Sequence, residues 1–118
     1  MYLASELVMC KDPYTTFKMV DALPMKVSAC KDDMRLAMGY RSFDFRGVKL
    51  RGHEFHYSDS NNNGHDFLAL KASGISEWSC SHANKVLYAG YPHIHLWGNI
   101  NFARNFIRAC DEFAKKRD

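Results

Sequence analysis

Two short runs of the sequence contain four of its six histidines, and these runs hold the residue types best suited to chemistry. The first run, residues 51–58, reads RGHEFHYS, and the second, residues 91–97, reads YPHIHLW. Histidine is the side chain best suited to accept and donate protons near neutral pH, and its imidazole also binds metal ions. A catalytic or a metal-binding site is therefore expected in these runs.

The spacing within each run predicts which side chains share a face of a strand. Successive side chains of a strand point to opposite faces, so residues two apart lie on the same face. His93 and His95 would therefore face the same way. In the first run, His53 would lie on one face, while Glu54 and His56 would lie on the other.

A metal site is one interpretation of these histidines. His93 and His95, together with His53 or His56, would make a plausible ligand set. However, the HxH pattern is a weak signal by itself, and the first run lacks the spacing of the helical HExxH zinc motif. On residue types alone, hydrogen-bonded histidines in strands are favoured over ligands, and no metal is expected.

A further interpretation is a histidine that acts as a general base for a nucleophile elsewhere. None of the four cysteines stands in a recognisable strand-to-helix elbow, and each is interpreted as a small buried hydrophobe: Cys10, Cys30, Cys80 and Cys110. They form no CxxC pair and no zinc-ribbon spacing. They are predicted to be reduced thiols, although their even number would also permit two disulfides.

The remaining sequence predicts an α/β chain in which several strands lie between a first and a last helix. Leu3, Leu7 and Val8 fall at helical spacing, which predicts a short helix over residues 1–9. Strands are predicted over residues 19–25, 34–45, 49–58, 67–71, 77–80 and 85–91. Residues 59–64, DSNNNG, predict a loop, and residues 83–84 predict a turn.

The last helix is predicted to begin at a capping residue, either Asn99 or Asn101. Its apolar residues make one stripe at helical spacing: Phe102, Phe106, Ile107, Cys110 and Phe113. Such a stripe is typical of a helix that packs on a core, so core packing is favoured over a binding face.

Length, composition and charge exclude several classes of partner. With 118 residues, the chain is one domain or part of one, and its 47% hydrophobic and 14% aromatic content favours a packed core. The net charge of +3 is too small to argue for nucleic acid, and no basic stripe with interleaved aromatics occurs. No apolar run is long enough to span a membrane and no signal peptide is recognised, so a cytoplasmic protein is expected.

The two histidine runs resemble segments of the cobyrinic acid a,c-diamide synthase family. RGHEFHYS is very similar to a motif of that family and is preceded by its GYR segment, here Gly39, Tyr40 and Arg41. The second run resembles the family's tyrosine-x-His-x-His segment, which a helix follows. The opening residues 1–3, MYL, match a helix that follows the family's Cys-Gly-Gly elbow. The resemblance covers nearly the whole chain in order.

This resemblance implies that residues 1–118 form the C-terminal portion of a three-layer, class I glutamine amidotransferase-like domain. The fold would be α/β, and the fragment would run helix, strands, helix with a mixed or antiparallel sheet. In the family, a cysteine thiolate releases ammonia from glutamine, and a separate N-terminal synthetase domain uses ATP and Mg²⁺. The ammonia amidates the a and c acetate groups of cobyrinic acid or a related tetrapyrrole acid. The fragment itself is expected to bind no cofactor.

The resemblance also assigns roles to individual residues. His93 matches the catalytic histidine, and His95 lies where related amidotransferases place the acid that orients it. The first run supplies residues that would shape the site, bind substrate or face the synthetase domain: Arg51, His53, Glu54, His56 and Tyr57.

The chain also departs from the family pattern. It contains no Cys-Gly-Gly elbow and no phosphate-binding GxxxxGK[ST] loop. Asp21 and Ala22 stand where the family has a glycine, and Pro92 is unusual before the histidine. The isolated chain is therefore expected to be inactive.

Two alternative functions stay open at this stage. One is a non-catalytic interaction module of the same fold, and the other is a metal-binding enzyme that uses His53, His56, His93 and His95. A partial domain should also expose apolar surface, so a homodimer is expected through an exposed strand edge or through the first helix.

Overall fold

The computed structural model describes residues 1–11, 13–30 and 36–116, which form eleven strands and one α-helix. The strands are β1 (Glu6–Met9), β2 (Thr15–Lys18), β3 (Lys26–Ala29), β4 (Ala37–Phe45), β5 (Val48–His56), β6 (Asp59–Ser60), β7 (Phe67–Lys71), β8 (Glu77–Cys80), β9 (His82–Ala83), β10 (Tyr88–Ala89) and β11 (His93–Ile94). The helix α1 spans Ile100–Ala114, and a short 3₁₀ helix precedes it at Leu96–Gly98. The chain is therefore α/β, as the sequence predicts.

The chain divides into two compact units. The first contains Met1–Met38 and Phe55–Asn63, and the second contains Gly39–Glu54 and the chain from Gly64 onward. No helix among the described residues has both the length and the apolar character that a membrane crossing requires.

A mixed four-stranded sheet, in the order β2-β1-β3-β6, forms the first unit. β1 pairs antiparallel with β2 and parallel with β3. Residues 1–9 are therefore not a helix, and that prediction is wrong. A helix this short is only marginally stable in water, whereas β1 has hydrogen-bonded neighbours on both sides. Those neighbours are distant in sequence, so the local apolar spacing did not reveal them.

The predicted strand over residues 19–25 is also wrong. The strand β3 begins only at Lys26, after Pro24, and Asp21 has a left-handed backbone with φ of 58°. The backbone N–H groups of Asp21 and Leu23 donate to the carbonyls of Ala4 and Leu3 instead of to a neighbouring strand. The strand β2, at residues 15–18, was missed because all four of its residues are exposed and give no alternating pattern.

A disulfide joins Cys10 to Cys30 within the first unit. The parallel register pairs Met9 with Ala29, so the next residues on each strand lie side by side, with Cα atoms 4.5 Å apart. This spacing lies within the range that a disulfide spans. The prediction of four reduced thiols is therefore wrong for this pair, while Cys80 and Cys110 are free.

The second unit contains a five-stranded sheet in the order β11-β5-β4-β7-β8 and a small ribbon of β9 and β10. The strands β5, β7 and β8 match predicted strands closely. β4 matches the predicted strand over 34–45 from Ala37 onward, while the start of that prediction lies outside the described residues. Of the predicted strand over 85–91, only Tyr88–Ala89 is a strand, since the chain turns between Asn84 and Leu87.

The core of the second unit lies on one face of this sheet. Its buried members are Phe43, Leu50, Phe67, Ala69, Cys80 and Ala83.

Residues 59–64 form a loop as predicted, except that Asp59 and Ser60 pair briefly with β3 in the first unit.

The helix α1 begins as predicted, with Asn99 as its cap. The Asn99 side chain accepts a hydrogen bond from the backbone N–H of Phe102 at 3.2 Å. Phe102 packs against the core, with its ring set edge-on to that of Phe45. The prediction of core packing is wrong for the later residues of the apolar stripe, because Phe106 is 54% exposed and Ile107 is 59% exposed.

The helix contacts the core near its first turn, while a groove of about 800 Å³ borders its later turns. The groove is lined by Phe45, Tyr88, Phe106 and Phe113, among others. Apolar surface is therefore exposed, as the sequence predicts. Residues 1–9 do not form the predicted helix, so a dimer contact through that helix is wrong. Dimerisation through a strand edge stays a prediction.

Gly64 and Gly74 form a matched pair of substitutions that tests the packing of the second unit. Both have positive φ, 77° and 73°, so alanine is strained at either position. At Gly64 the added Cβ would also overlap the carbonyl of Ser81, whereas at Gly74 nothing lies within 4 Å. We expect Gly64→Ala to lower the unfolding free energy by roughly 3 kcal/mol or more, and Gly74→Ala by about 1 kcal/mol. Urea denaturation measures both, and equal losses would contradict the close approach.

Candidate functional site

The adjacent strands β11, β5 and β4 bring three sequence motifs together in the second unit. β11 pairs antiparallel with β5, with His93 opposite His53 and Ile94 opposite Gly52. The backbone N–H of His95 donates to the Arg51 carbonyl at 2.8 Å and extends this ladder. β4, which carries the GYR segment, lies on the other side of β5. The sheet thus unites segments that are up to about fifty residues apart.

Gly52 determines how closely β11 approaches β5. A Cβ placed on Gly52 would overlap the backbone carbonyl of His93 and would crowd the ring of Phe43. The two strands can therefore pair in this register only because residue 52 has no side chain. The glycine of RGHEFHYS is thus required for the position of His93.

The rings of His93 and His53 form a direct polar contact on the exposed face. His93 Nδ1 lies 3.0 Å from His53 Nε2, and the two rings are almost perpendicular, at 89°. Tyr40 approaches the ring of His53 from β4, with the ring centroids 6.5 Å apart. All three side chains are exposed, so a substrate in solvent can reach the imidazole of His93.

The opposite face of β5 carries a buried ion pair. Glu54 is only 5% exposed, and its Oε2 lies 3.3 Å from Nε of Arg41 on β4. The Arg41 guanidinium also stacks over Trp78, and its Nη1 donates to the Tyr40 carbonyl at 2.9 Å. The carboxylate of Glu54 is therefore turned away from His53 and His93, as the predicted alternation along β5 requires.

The structure places the other predicted site residues in two groups. Arg51 and His95 are exposed and pair across β5 and β11, next to His53 and His93. His56 and Tyr57 belong to the first unit. There, Nδ1 of His56 lies 2.8 Å from the Ser58 carbonyl. Among the described residues, no three His, Cys, Asp or Glu side chains are grouped so that they could hold a metal ion.

Sequence reasoning assigned no role to Tyr40, Arg41 and Tyr88. The GYR segment was the available signal for the first two, but only the strand order shows that they lie beside His53 and Glu54. The hydroxyl of Tyr88 donates to the Pro92 carbonyl at 2.7 Å, immediately before β11. Burial raises the pKa of Tyr88 to about 12, which keeps this hydroxyl protonated and able to donate.

Comparison with known proteins finds several relatives that carry the same name. A protein from Priestia megaterium named cobyrinate a,c-diamide synthase is 29% identical over 99% of this chain. Proteins of the same name from Sulfurisphaera tokodaii and Thermoplasma volcanium are 32% and 33% identical over 81% and 71% of the chain. The chain belongs to the cobyrinate a,c-diamide synthase family.

Within this synthase family, the chain corresponds to only part of its relatives. It spans between 20% and 26% of the length of the three proteins named above. No family model matches the chain, and no solved structure matches it significantly. The assignment to the synthase family therefore depends on the sequence relatives.

The free cysteine Cys80 is unsuited to be the nucleophile of a synthase-family site. Its side chain is buried, and burial raises the pKa of the thiol to about 11, with the charge of Glu54 as a further cause. Since the thiolate is the nucleophile, a group with this pKa is almost entirely unreactive near neutral pH. Cys80 is therefore a small buried core residue, as predicted, whereas the same prediction is wrong for Cys110, which is exposed.

Thiol labelling distinguishes the two free cysteines. At pH 8, about one Cys80 side chain in a thousand is ionised when its pKa is about 11. We expect iodoacetamide to modify Cys110 within minutes in the folded chain and Cys80 only after addition of urea. Mass spectrometry of tryptic peptides locates the label, and Cys110→Ser serves as the control that removes the fast phase. Rapid labelling of Cys80 in the folded Cys110→Ser protein would contradict this assignment.

Removing one partner from the buried pair of Glu54 and Arg41 is expected to destabilise the fold. Glu54→Gln keeps the size of the side chain but leaves the guanidinium without its anion, so we expect a loss of about 3 kcal/mol in unfolding free energy. Glu6→Gln is the control, because Glu6 pairs at 2.9 Å with Lys26, whose side chain is 58% exposed. The control should lose less than about 1 kcal/mol. Equal losses in urea denaturation would contradict the distinction between the two pairs.

Proposed function

We propose that this chain carries the proton-transferring histidine of a glutaminase site in a glutamine-dependent, ATP-using amidoligase. The proposed substrate is cobyrinic acid or a related tetrapyrrole acid, whose a and c acetate groups become amides. The names of the relatives and the family motifs support this proposal. The observation that carries it is the exposed imidazole of His93, held against His53 on neighbouring strands.

The proposed reaction begins with a cysteine thiolate adding to the carboxamide carbon of glutamine. His93 in its protonated form gives a proton to the departing nitrogen, so ammonia leaves and a thioester remains. Neutral His93 then takes a proton from the water that attacks the thioester, which releases glutamate and restores the thiolate and the protonated His93. Backbone N–H groups would hold the oxyanion in both steps.

The chain supplies only part of this machinery. It contains no Cys-Gly-Gly elbow, and Cys80 is buried in the core. The thiol and the ATP- and Mg²⁺-using synthetase domain are therefore proposed to lie on other segments of the parent protein. The chain is proposed to be the C-terminal part of a class I glutamine amidotransferase-like domain, which its α/β fold and mixed sheet support. His95 is proposed to assist His93, while Arg51 and His53 shape the site.

A chimera tests this proposal. The segment of the Priestia megaterium relative that precedes the aligned region is joined to residue 1 of this chain, and glutamine-dependent ammonia release is measured. We expect no turnover from the isolated chain and measurable turnover from the chimera. His93→Asn in the chimera should lower turnover by about a thousandfold or more, because it removes the proton-transferring group.

His65→Asn in the same chimera is the control, since His65 is exposed and lies outside both motif runs. Robust ammonia release by the isolated chain would contradict the proposal. So would a folded chimera without turnover, or one whose turnover does not depend on His93.

A further inference from the structure

We infer that His53 is the positioning residue of His93 and acts as the neutral acceptor that the protonated imidazole requires. This inference rests on the proposed function of His93 as the proton-transferring group. It assigns to an imidazole the position that a carboxylate holds in a Ser-His-Asp triad. The resemblance alone suggested His95 for that position, and it assigned to His53 only a general role in shaping the site.

The geometry of the contact determines which nitrogen of His93 is available for chemistry. The contact with His53 uses Nδ1 of His93, at 3.0 Å, so Nε2 is the nitrogen left for the substrate. After Nε2 takes a proton, both ring nitrogens of His93 carry hydrogen, and Nδ1 can only donate. The acceptor within reach is then Nε2 of His53, which must keep its lone pair.

The carboxylate nearest in sequence cannot take this role. Glu54 follows His53 directly, but successive side chains of a strand point to opposite faces. Glu54 is buried and paired with Arg41 on the far side of β5, whereas the ring of His93 lies on the exposed side. The imidazole of His53 is therefore the polar group that the strand pairing presents to Nδ1 of His93.

The ring of His53 is itself held on two sides. His93 contacts it from β11 with a ring separation of 4.7 Å, and Tyr40 approaches it edge-on from β4 at 6.5 Å. The three rings form one row across three adjacent strands. A ring held in this way keeps Nε2 directed at His93, and the hydrogen bond in turn limits the rotation of His93. Preorganisation of this kind is what a base needs before substrate arrives.

Nuclear magnetic resonance on the 118-residue chain with ¹⁵N-labelled histidine tests this inference directly. A hydrogen bond between two ring nitrogens produces a ¹⁵N–¹⁵N scalar coupling across the bond. We expect a coupling between Nδ1 of His93 and Nε2 of His53 in the folded chain. The ¹⁵N shifts should report hydrogen on Nδ1 of His93 and a lone pair on Nε2 of His53.

Three variants make the result specific. His53→Phe retains an aromatic ring but offers no acceptor, so the shifts of His93 should move to those of a solvated imidazole while the backbone amide spectrum stays folded. His53→Gln restores an oxygen acceptor and should return the His93 Nδ1 shift toward its original value. His95→Phe should leave the coupling unchanged.

The absence of the coupling in the folded parent chain would overturn the inference, and so would its loss in His95→Phe. Ammonia release plays no part in this measurement. A coupling that is present in a chain whose chimera fails to hydrolyse glutamine would instead count against the proposed function.

Discussion

The approach of β11 to β5 at Gly52 is the constraint on which the site depends. The carbonyl of His93 occupies the space that a side chain at residue 52 would need. Because the two backbones meet there, His93 lies opposite His53, and their ring nitrogens come within 3.0 Å. The contact joins residues forty positions apart, and both motifs are therefore needed to form one site.

The two faces of β5 carry different groups: one face is buried and the other is exposed to solvent. The alternation of side chains along the strand places each group on its face. Leu50, Gly52 and Glu54 point to the buried side, where the ion pair with Arg41 lies. Arg51 and His53 point to solvent, beside β11. A shift of register by one residue would exchange these faces, because strand side chains repeat every two residues. Burial of one face thus fixes the position of the reactive groups on the other.

Local patterns were enough to predict the elements whose partners are near in sequence or whose boundaries carry clear signals. The strand predicted over residues 49–58 matches β5, and the Asn99 cap located the start of α1. The first unit was predicted poorly, since the strand at residues 6–9 is stabilised by partners about ten and twenty residues away. The Cys10–Cys30 disulfide depends on the same distant register, so composition could not reveal it. Phe106 fits a core stripe by spacing, yet helical spacing does not tell whether another element covers the stripe.

The sequence pointed to both histidine runs, but it assigned no role to Tyr40 and did not reveal how the two runs pair. Residue types and the family resemblance identified the two histidine runs, while the HxH spacing directed attention to His95 as the neighbour of His93. Only the strand register shows that the ring of His93 meets His53, because that contact is made across strands and not along one strand.

The interstrand register is therefore the quantity to measure. In an antiparallel ladder where His95 donates to the Arg51 carbonyl, Ile94 and Gly52 form the closely spaced pair without mutual hydrogen bonds. A strong nuclear Overhauser effect is predicted between the Hα protons of Gly52 and Ile94. An equally strong effect from Gly52 to the Hα of His93 or His95 would place His93 on the other face of the sheet and would contradict the account.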